Sequence, residues 1–218
     1  MSKDNFFSLA LENHKKNNLN DAKNLYNEVL KLDPDHEHAN NNLGNLFYSV
    51  GNYEKAKIFI KKAIKINPYS TDALSNLGAV YARLNESDKA INCYEKVIKI
   101  NPNHVDALCN YGNLLLSLEE NIKAISYYKR VIKLNNRHII SHANISKAYE
   151  NLGDYQSAVD YMDNLLSLTN FNDETSRRYG ILLLKVNKHV KGLKYIVKGE
   201  GVIKFKYSNF GIINNEKN

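Results

Sequence analysis

The chain has 218 residues, of which 43% are hydrophobic, and it carries a formal net charge of +7 at pH 7. This length and apolar content exclude an intrinsically disordered chain and predict a substantial folded unit. The apolar cluster at residues 6–11 is too short for a signal peptide, and no apolar run approaches the length of a membrane span. The two cysteines, Cys93 and Cys109, have no metal-type spacing, so we expect a cytoplasmic protein without membrane association.

Small residues and prolines return every 34 residues along the chain. The small residues are Ala22, Ala56, Ala90, Ala124 and Ala158, and the prolines are Pro34, Pro68 and Pro102. Within each period, two runs of apolar residues follow the spacing of an amphipathic helix. Self-similarity of this length predicts stacked helix–turn–helix units.

The break between the two helices of each unit is marked by residues that tolerate a left-handed backbone. They are Asn17, Gly51, Asn85, Gly153 and Asn187, and Glu119 is the exception at this register. Glycines on the first helices predict close helix contacts, at Gly44, Gly78, Gly112 and Gly180. Aromatic residues at helical spacing are interpreted as buried wedges between helices, at Tyr26, Phe47, Tyr81, Tyr94 and Tyr128.

Together these features resemble the tetratricopeptide repeat family, whose pattern joins Leu-Gly and an aromatic residue in the first helix to Ala and Pro in and after the second. The best matches contain Leu43-Gly44 and Leu77-Gly78. The resemblance implies an all-α fold, a right-handed superhelical solenoid of about six antiparallel helix pairs whose first helices line a concave groove. The repeats then span residues 3–36, 37–70, 71–104, 105–138, 139–172 and, in degenerate form, 173–206.

The end of the chain changes character. Residues 207–218 are predicted to be a tail, and the apolar residues from Val202 onward follow no helical period. We interpret the segment 202–218 as a cap over the last helix or as the start of a longer segment.

The position immediately before the Leu-Gly site holds asparagine in four successive repeats. These residues are Asn42, Asn76, Asn110 and Asn144. Asn45 and Asn113 lie one helical turn further on, on the same face. Each amide group has one acceptor and two donors, which match the groups of an extended peptide backbone. This asparagine row resembles that of the repeat domain of O-linked N-acetylglucosamine transferase and of the kinesin light chain. The resemblance implies contact with a bound peptide, whereas the alternative is that the row holds the stack together.

Some tetratricopeptide domains bind the C-terminal carboxylate of chaperones through lysines, an arginine and asparagines. Asn113, Asn144 and Arg178 match part of that set. The lysine positions, however, hold Cys109 and Glu174, and acidic residues occur at equivalent positions in earlier repeats, at Asp72 and Asp106. Because carboxylates repel a carboxylate, the sequence does not favour a chaperone clamp.

Nucleic-acid binding, catalysis and cofactor binding find little support in the sequence. Many lysines alternate with packing residues on the second helices, which is typical of a solvated outer face, so we expect no nucleic-acid partner. No phosphate loop or nucleophile motif is present in the sequence. We therefore expect no catalytic residues, no metal and no cofactor.

The sequence predicts a non-catalytic scaffold for protein–protein interaction, which binds an extended peptide or a helix of a partner in the concave groove. The candidate binding residues are Asn42, Asn45, Asn76, Asn110, Asn113 and Asn144. The alternative is the substrate-recruiting repeat arm of a larger or partner enzyme, such as a glycosyltransferase.

Overall fold

The computed structural model describes the backbone of residues 1–200, so the predicted tail at 207–218 and the cap at 202–218 lie outside the described residues. Residues 1–200 form helices and no strands, which confirms the all-α prediction. The helices are α1 Lys3–Lys15, α2 Leu19–Leu32, α3 Glu37–Ser49, α4 Tyr53–Ile66, α5 Thr71–Arg83, α6 Ser87–Ile100, α7 Val105–Ser117, α8 Asn121–Leu134, α9 Ile139–Asn151, α10 Tyr155–Leu168, α11 Asp173–Lys185 and α12 His189–Glu200. Among these residues, no helix is both long enough and apolar enough to cross a bilayer.

The chain divides into two compact units, Met1–Asn144 and Ile145–Asn218. In the first unit, each helix from α1 to α6 packs on the next, α7 packs on α8, and the odd-numbered helices α3, α5 and α7 also lie side by side. In the second unit, α11 packs on both α10 and α12. The layer of odd-numbered helices in the first unit is the surface that carries the asparagine row.

The turn inside each helix pair has the same backbone conformation throughout residues 1–200. Positive φ angles occur at Asn17 (63°), Gly51 (78°), Asn85 (58°), Glu119 (62°), Gly153 (77°) and Asn187 (62°). Glu119, the exception by residue type, therefore adopts the same left-handed conformation as its equivalents. The tertiary fold imposes it there, because a glutamate has no intrinsic preference for this region.

The first helix of most repeats begins at a side chain that accepts a hydrogen bond from the helix N-terminus. His36 Nδ1 accepts from the N–H of Ala39 at 3.1 Å, and His104 Nδ1 accepts from that of Ala107 at 3.2 Å. The same register position holds four further caps, Ser2, Ser70, His138 and Asn172. These side chains satisfy N–H groups that lack intrahelical partners, so the 34-residue period extends to the caps.

The glycines on the first helices face large side chains of the second helices. A Cβ atom placed on Gly78 would lie 2.6 Å from the ring of Tyr94, and one on Gly112 would lie 2.7 Å from the ring of Tyr128. Both tyrosines are buried, with 1% and 0% of their surface exposed. Phe47 differs from the prediction, because it is only half-buried and stacks on the partly buried ring of Phe59 at the helix margin.

Candidate functional site

A polar groove of about 450 Å³ crosses α3, α5 and α7 in the first unit. Five of the six asparagines proposed from the sequence line it, and the sixth, Asn144, contacts one of them. The lining residues are Asn41, Asn42, Asn45, Asp72, Ser75, Asn76, His104, Asp106, Cys109, Asn110, Asn113, His138 and Ile140. The fold therefore brings the asparagine row together on one surface.

The groove is mildly acidic although the chain as a whole is basic. Its lining contains two exposed carboxylates, Asp72 and Asp106, and neither lysine nor arginine. The Asp72 carboxylate is paired with His104, whose Nε2 lies 3.1 Å from Oδ1. Lysines of α4, such as Lys61 and Lys65, are exposed and do not line the groove. A positively charged partner side chain is therefore better suited to this groove than a negatively charged one.

Asn144 and Asn113 are joined through a buried tyrosine. The Asn144 amide nitrogen donates to Asn113 Oδ1 at 2.7 Å and to the Tyr128 hydroxyl at 3.2 Å. The Tyr128 hydroxyl in turn donates to Asn113 Oδ1 at 2.8 Å. Burial raises the pKa of Tyr128, and the hydrogen bond from Asn144 opposes that shift. At this repeat the asparagine row connects neighbouring helix pairs.

Asn76 and Asn42 also have partners inside the protein. Asn76 Nδ2 donates to Asn41 Oδ1 at 3.0 Å, so it links α5 to α3. Asn42 forms a hydrogen bond with the hydroxyl of Tyr26, whose pKa burial raises to about 12. Three members of the row, Asn42, Asn76 and Asn144, thus contribute to the stack.

Asn45 and Asn110 differ from those three residues. Asn45 is exposed and Asn110 is half-buried, and neither side chain forms a hydrogen bond with any other described residue. Their donors and acceptors face the groove. Both the oxygen and the nitrogen of each of these two amides are consequently available to a ligand.

A second cleft of about 410 Å³ adjoins the groove and shares Asn110 and Asn113 with it. Its walls include Tyr48, Ala79 and Arg83, and the Arg83 guanidinium donates from Nε to the Tyr48 hydroxyl at 3.3 Å. This cleft carries a positive charge, in contrast to the acidic lining of the groove.

Sequence reasoning missed several residues of these two surfaces. Asn41 binds Asn76, while Tyr48 and Arg83 line the second cleft. Tyr94 is predicted from the sequence only as a buried wedge, yet it also lines that cleft. One difference between repeats was visible in the sequence. Ala79 occupies the position that Asn113 has in the next repeat, and this difference pointed to the second cleft.

Two of the residues considered for a chaperone clamp have other surroundings in the structure. Cys109 is buried, and burial raises the pKa of its thiol. Arg178 lies in the second unit, where its Nε donates to Glu150 at 2.9 Å. Among residues 1–200 no group of three or more His, Cys, Asp or Glu side chains is arranged to hold a metal ion.

Comparison with known structures gave relatives of the same architecture. MamA has 26% sequence identity, covers 76% of this chain and 91% of its own, and has a TM-score of 0.63. PilF of Pseudomonas aeruginosa has 19% identity, 88% coverage of both chains and a TM-score of 0.79. YrrB, described as a TPR protein with an unusual peptide-binding site, has 19% identity, covers 81% of this chain and 91% of its own, and has a TM-score of 0.65. At 19% identity the likeness concerns the fold alone.

No curated protein sequence matches the chain significantly. Models of the tetratricopeptide repeat match residues 39–70, 71–104, 93–126 and 140–172, and a model described as TPR repeat matches residues 11–51. These models describe repeats and not a catalytic domain. Together they cover most of the helical part of the chain, in agreement with its helix pairs and with the related structures. The chain belongs to the tetratricopeptide repeat family.

Proposed function

We propose that this protein is a non-catalytic scaffold that binds an extended peptide segment of a partner protein in the groove across α3, α5 and α7. The observation that carries the proposal is the pair of amides, Asn45 and Asn110, that face the groove without a partner among the described residues. Their neighbours Asn42, Asn76 and Asn144 are held by internal hydrogen bonds, so the surface around the two free amides is preorganised.

The chemistry of the groove suits a peptide backbone. Each free amide offers one acceptor and two donors, which match the N–H and C=O groups of an extended chain. Contacts of this kind do not depend on the side chains of the ligand. The carboxylates of Asp72 and Asp106 add a preference for lysine or arginine in the bound segment.

The comparisons support this class of function in general terms. YrrB, a protein of the same fold, is described as having a peptide-binding site. The likeness of the asparagine row to that of O-linked N-acetylglucosamine transferase stays a prediction, since the matching models describe tetratricopeptide repeats in general. The alternative role as a recruiting arm of an enzyme, the expected absence of a nucleic-acid partner and the cytoplasmic location also stay predictions.

The experiment starts from peptides selected on the intact chain from a displayed library of random dodecapeptides. We expect the double variant Asn45→Ala/Asn110→Ala to weaken the binding of these peptides by about tenfold or more, because each lost hydrogen bond contributes about 0.5–1.5 kcal/mol. Titration calorimetry measures the affinity, and circular dichroism measures thermal stability, which we expect to change little.

Asn92→Ala is the matched control, because Asn92 is an exposed asparagine on α6 outside the groove. Its affinity for the peptides should equal that of the unchanged chain. Unchanged affinity of the double variant would contradict the proposal.

A further inference from the structure

Two successive repeats place a buried tyrosine at the same position with different surroundings. In the later repeat, the Tyr128 hydroxyl has an oxygen acceptor 15 residues earlier, Asn113 Oδ1 at 2.8 Å, and an amide donor 16 residues later, Asn144 Nδ2 at 3.2 Å. Asn144 also donates to the same Asn113 oxygen at 2.7 Å. One carbonyl oxygen thus receives hydrogen bonds from both a tyrosine hydroxyl and an asparagine amide.

In the earlier repeat the two donors are present and the acceptor is missing. Tyr94 corresponds to Tyr128, and Asn110 corresponds to Asn144. The position of Asn113 is occupied by Ala79, whose methyl group accepts no hydrogen bond. Tyr94 is 1% exposed, and neither its hydroxyl nor the Asn110 amide has a hydrogen-bond partner among the described residues. A hydroxyl without a protein partner can still donate a hydrogen bond, so this site has an unused capacity to bind an acceptor.

The missing side chain leaves open space at this point. Tyr94, Ala79 and Asn110 all line the second cleft, which has a volume of about 410 Å³. The Tyr94 hydroxyl is not fully enclosed by protein atoms, so a group that enters the cleft reaches it. Because Asn110 also lines the polar groove, a chain bound there passes directly beside the cleft.

We propose that the space above Ala79 is a subsite that binds an amide carbonyl oxygen of the partner, held by the Tyr94 hydroxyl and the Asn110 amide. The bound carbonyl takes the place that the Asn113 side chain has in the following repeat. This inference rests on the proposed function, because it assigns a specific contact to a peptide in the groove. The carbonyl belongs either to the partner's main chain or to an asparagine or glutamine side chain.

The first test compares matched tyrosine variants in the absence of ligand. Tyr128→Phe removes a hydroxyl that has two partners, so we expect its melting temperature to fall by about 2–4 °C. Tyr94→Phe removes a hydroxyl without a partner, so we expect a melting temperature equal to or above that of the unchanged chain. Equal losses in the two variants would show that Tyr94 already has an acceptor and would overturn the proposal.

The second test supplies the missing acceptor from the protein itself. Ala79→Asn reproduces the residue of the following repeat, so its amide oxygen should occupy the subsite and exclude the ligand. Dodecapeptides selected on the unchanged chain should bind Tyr94→Phe about two- to tenfold more weakly, as expected for one lost hydrogen bond, and should bind Ala79→Asn at least as weakly as Tyr94→Phe. Asn92→Ala on α6 should not change their affinity.

Other outcomes separate the subsite from the groove. Peptides that weaken with Asn45→Ala but bind Ala79→Asn normally would overturn the subsite and leave the proposed function standing. Peptides that respond to neither variant, or a selection that enriches no peptide, would contradict both the subsite and the proposed function.

An alanine scan of a bound peptide then identifies the source of the carbonyl. A loss at one Asn or Gln assigns a side chain, and no loss at any single side chain assigns the main chain. A loss at an Asp, a Glu or the terminal carboxylate would overturn the amide assignment.

Discussion

A single register position has different hydrogen-bond partners from repeat to repeat. Asn76 binds Asn41 on the preceding first helix, whereas Asn144 binds Tyr128 and Asn113. Asn110 has the same residue type and helix position, but Ala79 stands where the partner oxygen would be. The role of each asparagine is therefore decided by residues that lie between half a repeat and one repeat away in the sequence.

At the same residue scale, a histidine cap makes stability depend on pH. The neutral Nδ1 of His36 accepts from the N–H of Ala39, and burial lowers the pKa of His36, while the nearby Asp33 opposes the shift. A lowered pKa in the folded state favours the neutral form. The stabilisation is complete above the unfolded pKa of about 6.5, and it is lost as the pH falls through the lower folded value.

We predict that His36→Asn reduces the loss of stability between pH 7 and pH 5. Asparagine is a good N-terminal cap that does not titrate in this range, and a cap contributes about 1 kcal/mol. Urea unfolding of both chains at the two pH values measures the difference. If the unchanged chain and the variant lose the same stability on acidification, His36 does not contribute to the pH dependence.

At the scale of helices, packing within a pair depends on one glycine opposite one large side chain. Gly78 lies against the ring of Tyr94, Gly112 against that of Tyr128, and Gly44 against Ile60. The second helix supplies the bulk and the first helix supplies the space, and this division repeats along the first unit. An added side chain at the glycine has no room unless the ring moves.

We predict that Gly78→Leu destabilises the protein by about 1–3 kcal/mol, because overpacking at a helix contact forces shifts of backbone and side chains. Thermal unfolding followed by circular dichroism measures the change. Asn92→Leu introduces the same side chain on the exposed face of α6 and should leave the midpoint nearly unchanged. An unaltered midpoint for Gly78→Leu would mean that Tyr94 leaves its place at little cost.

At the scale of the whole molecule, buried tyrosines occur in both units. Burial raises the pKa of Tyr26 in the first unit and of Tyr179 in the second to about 12, and it also raises those of Tyr94 and Tyr128. The unfolded chain loses its tyrosine protons at about pH 10. Between these values the folded state binds more protons than the unfolded state, so stability falls as the pH rises.

We predict that the free energy of unfolding declines steeply above pH 10 and that tyrosine ionisation accompanies unfolding. Denaturant unfolding at several alkaline pH values, followed by circular dichroism and by tyrosinate absorbance, measures both events. Tyr26→Phe removes one ionisable group and should reduce the slope of the decline. A slope that does not change would show that Tyr26 ionises without unfolding.

The all-α fold and the glycine contacts could be predicted from the sequence because both depend on short-range periodicity. A helix pair is specified by apolar spacing and by small residues within one repeat, and each repeat contacts mainly its neighbours. The asparagine row was recognisable for the same reason, since equal spacing places equivalent residues on one surface. The caps at His36 and His104 have this period too, but histidine is not among the usual capping residues and gave no signal.

The tertiary structure alone decided which members of the row are available to a ligand. Asn42, Asn76 and Asn144 are held by partners from other helices, whereas Asn45 and Asn110 are not. Hydrogen bonds of a side chain depend on distances and directions between helices, and the spacing of one residue type contains no information about them. The sequence by itself thus determined the repeating framework, and the packing of each repeat on the next determined where that framework leaves donors free.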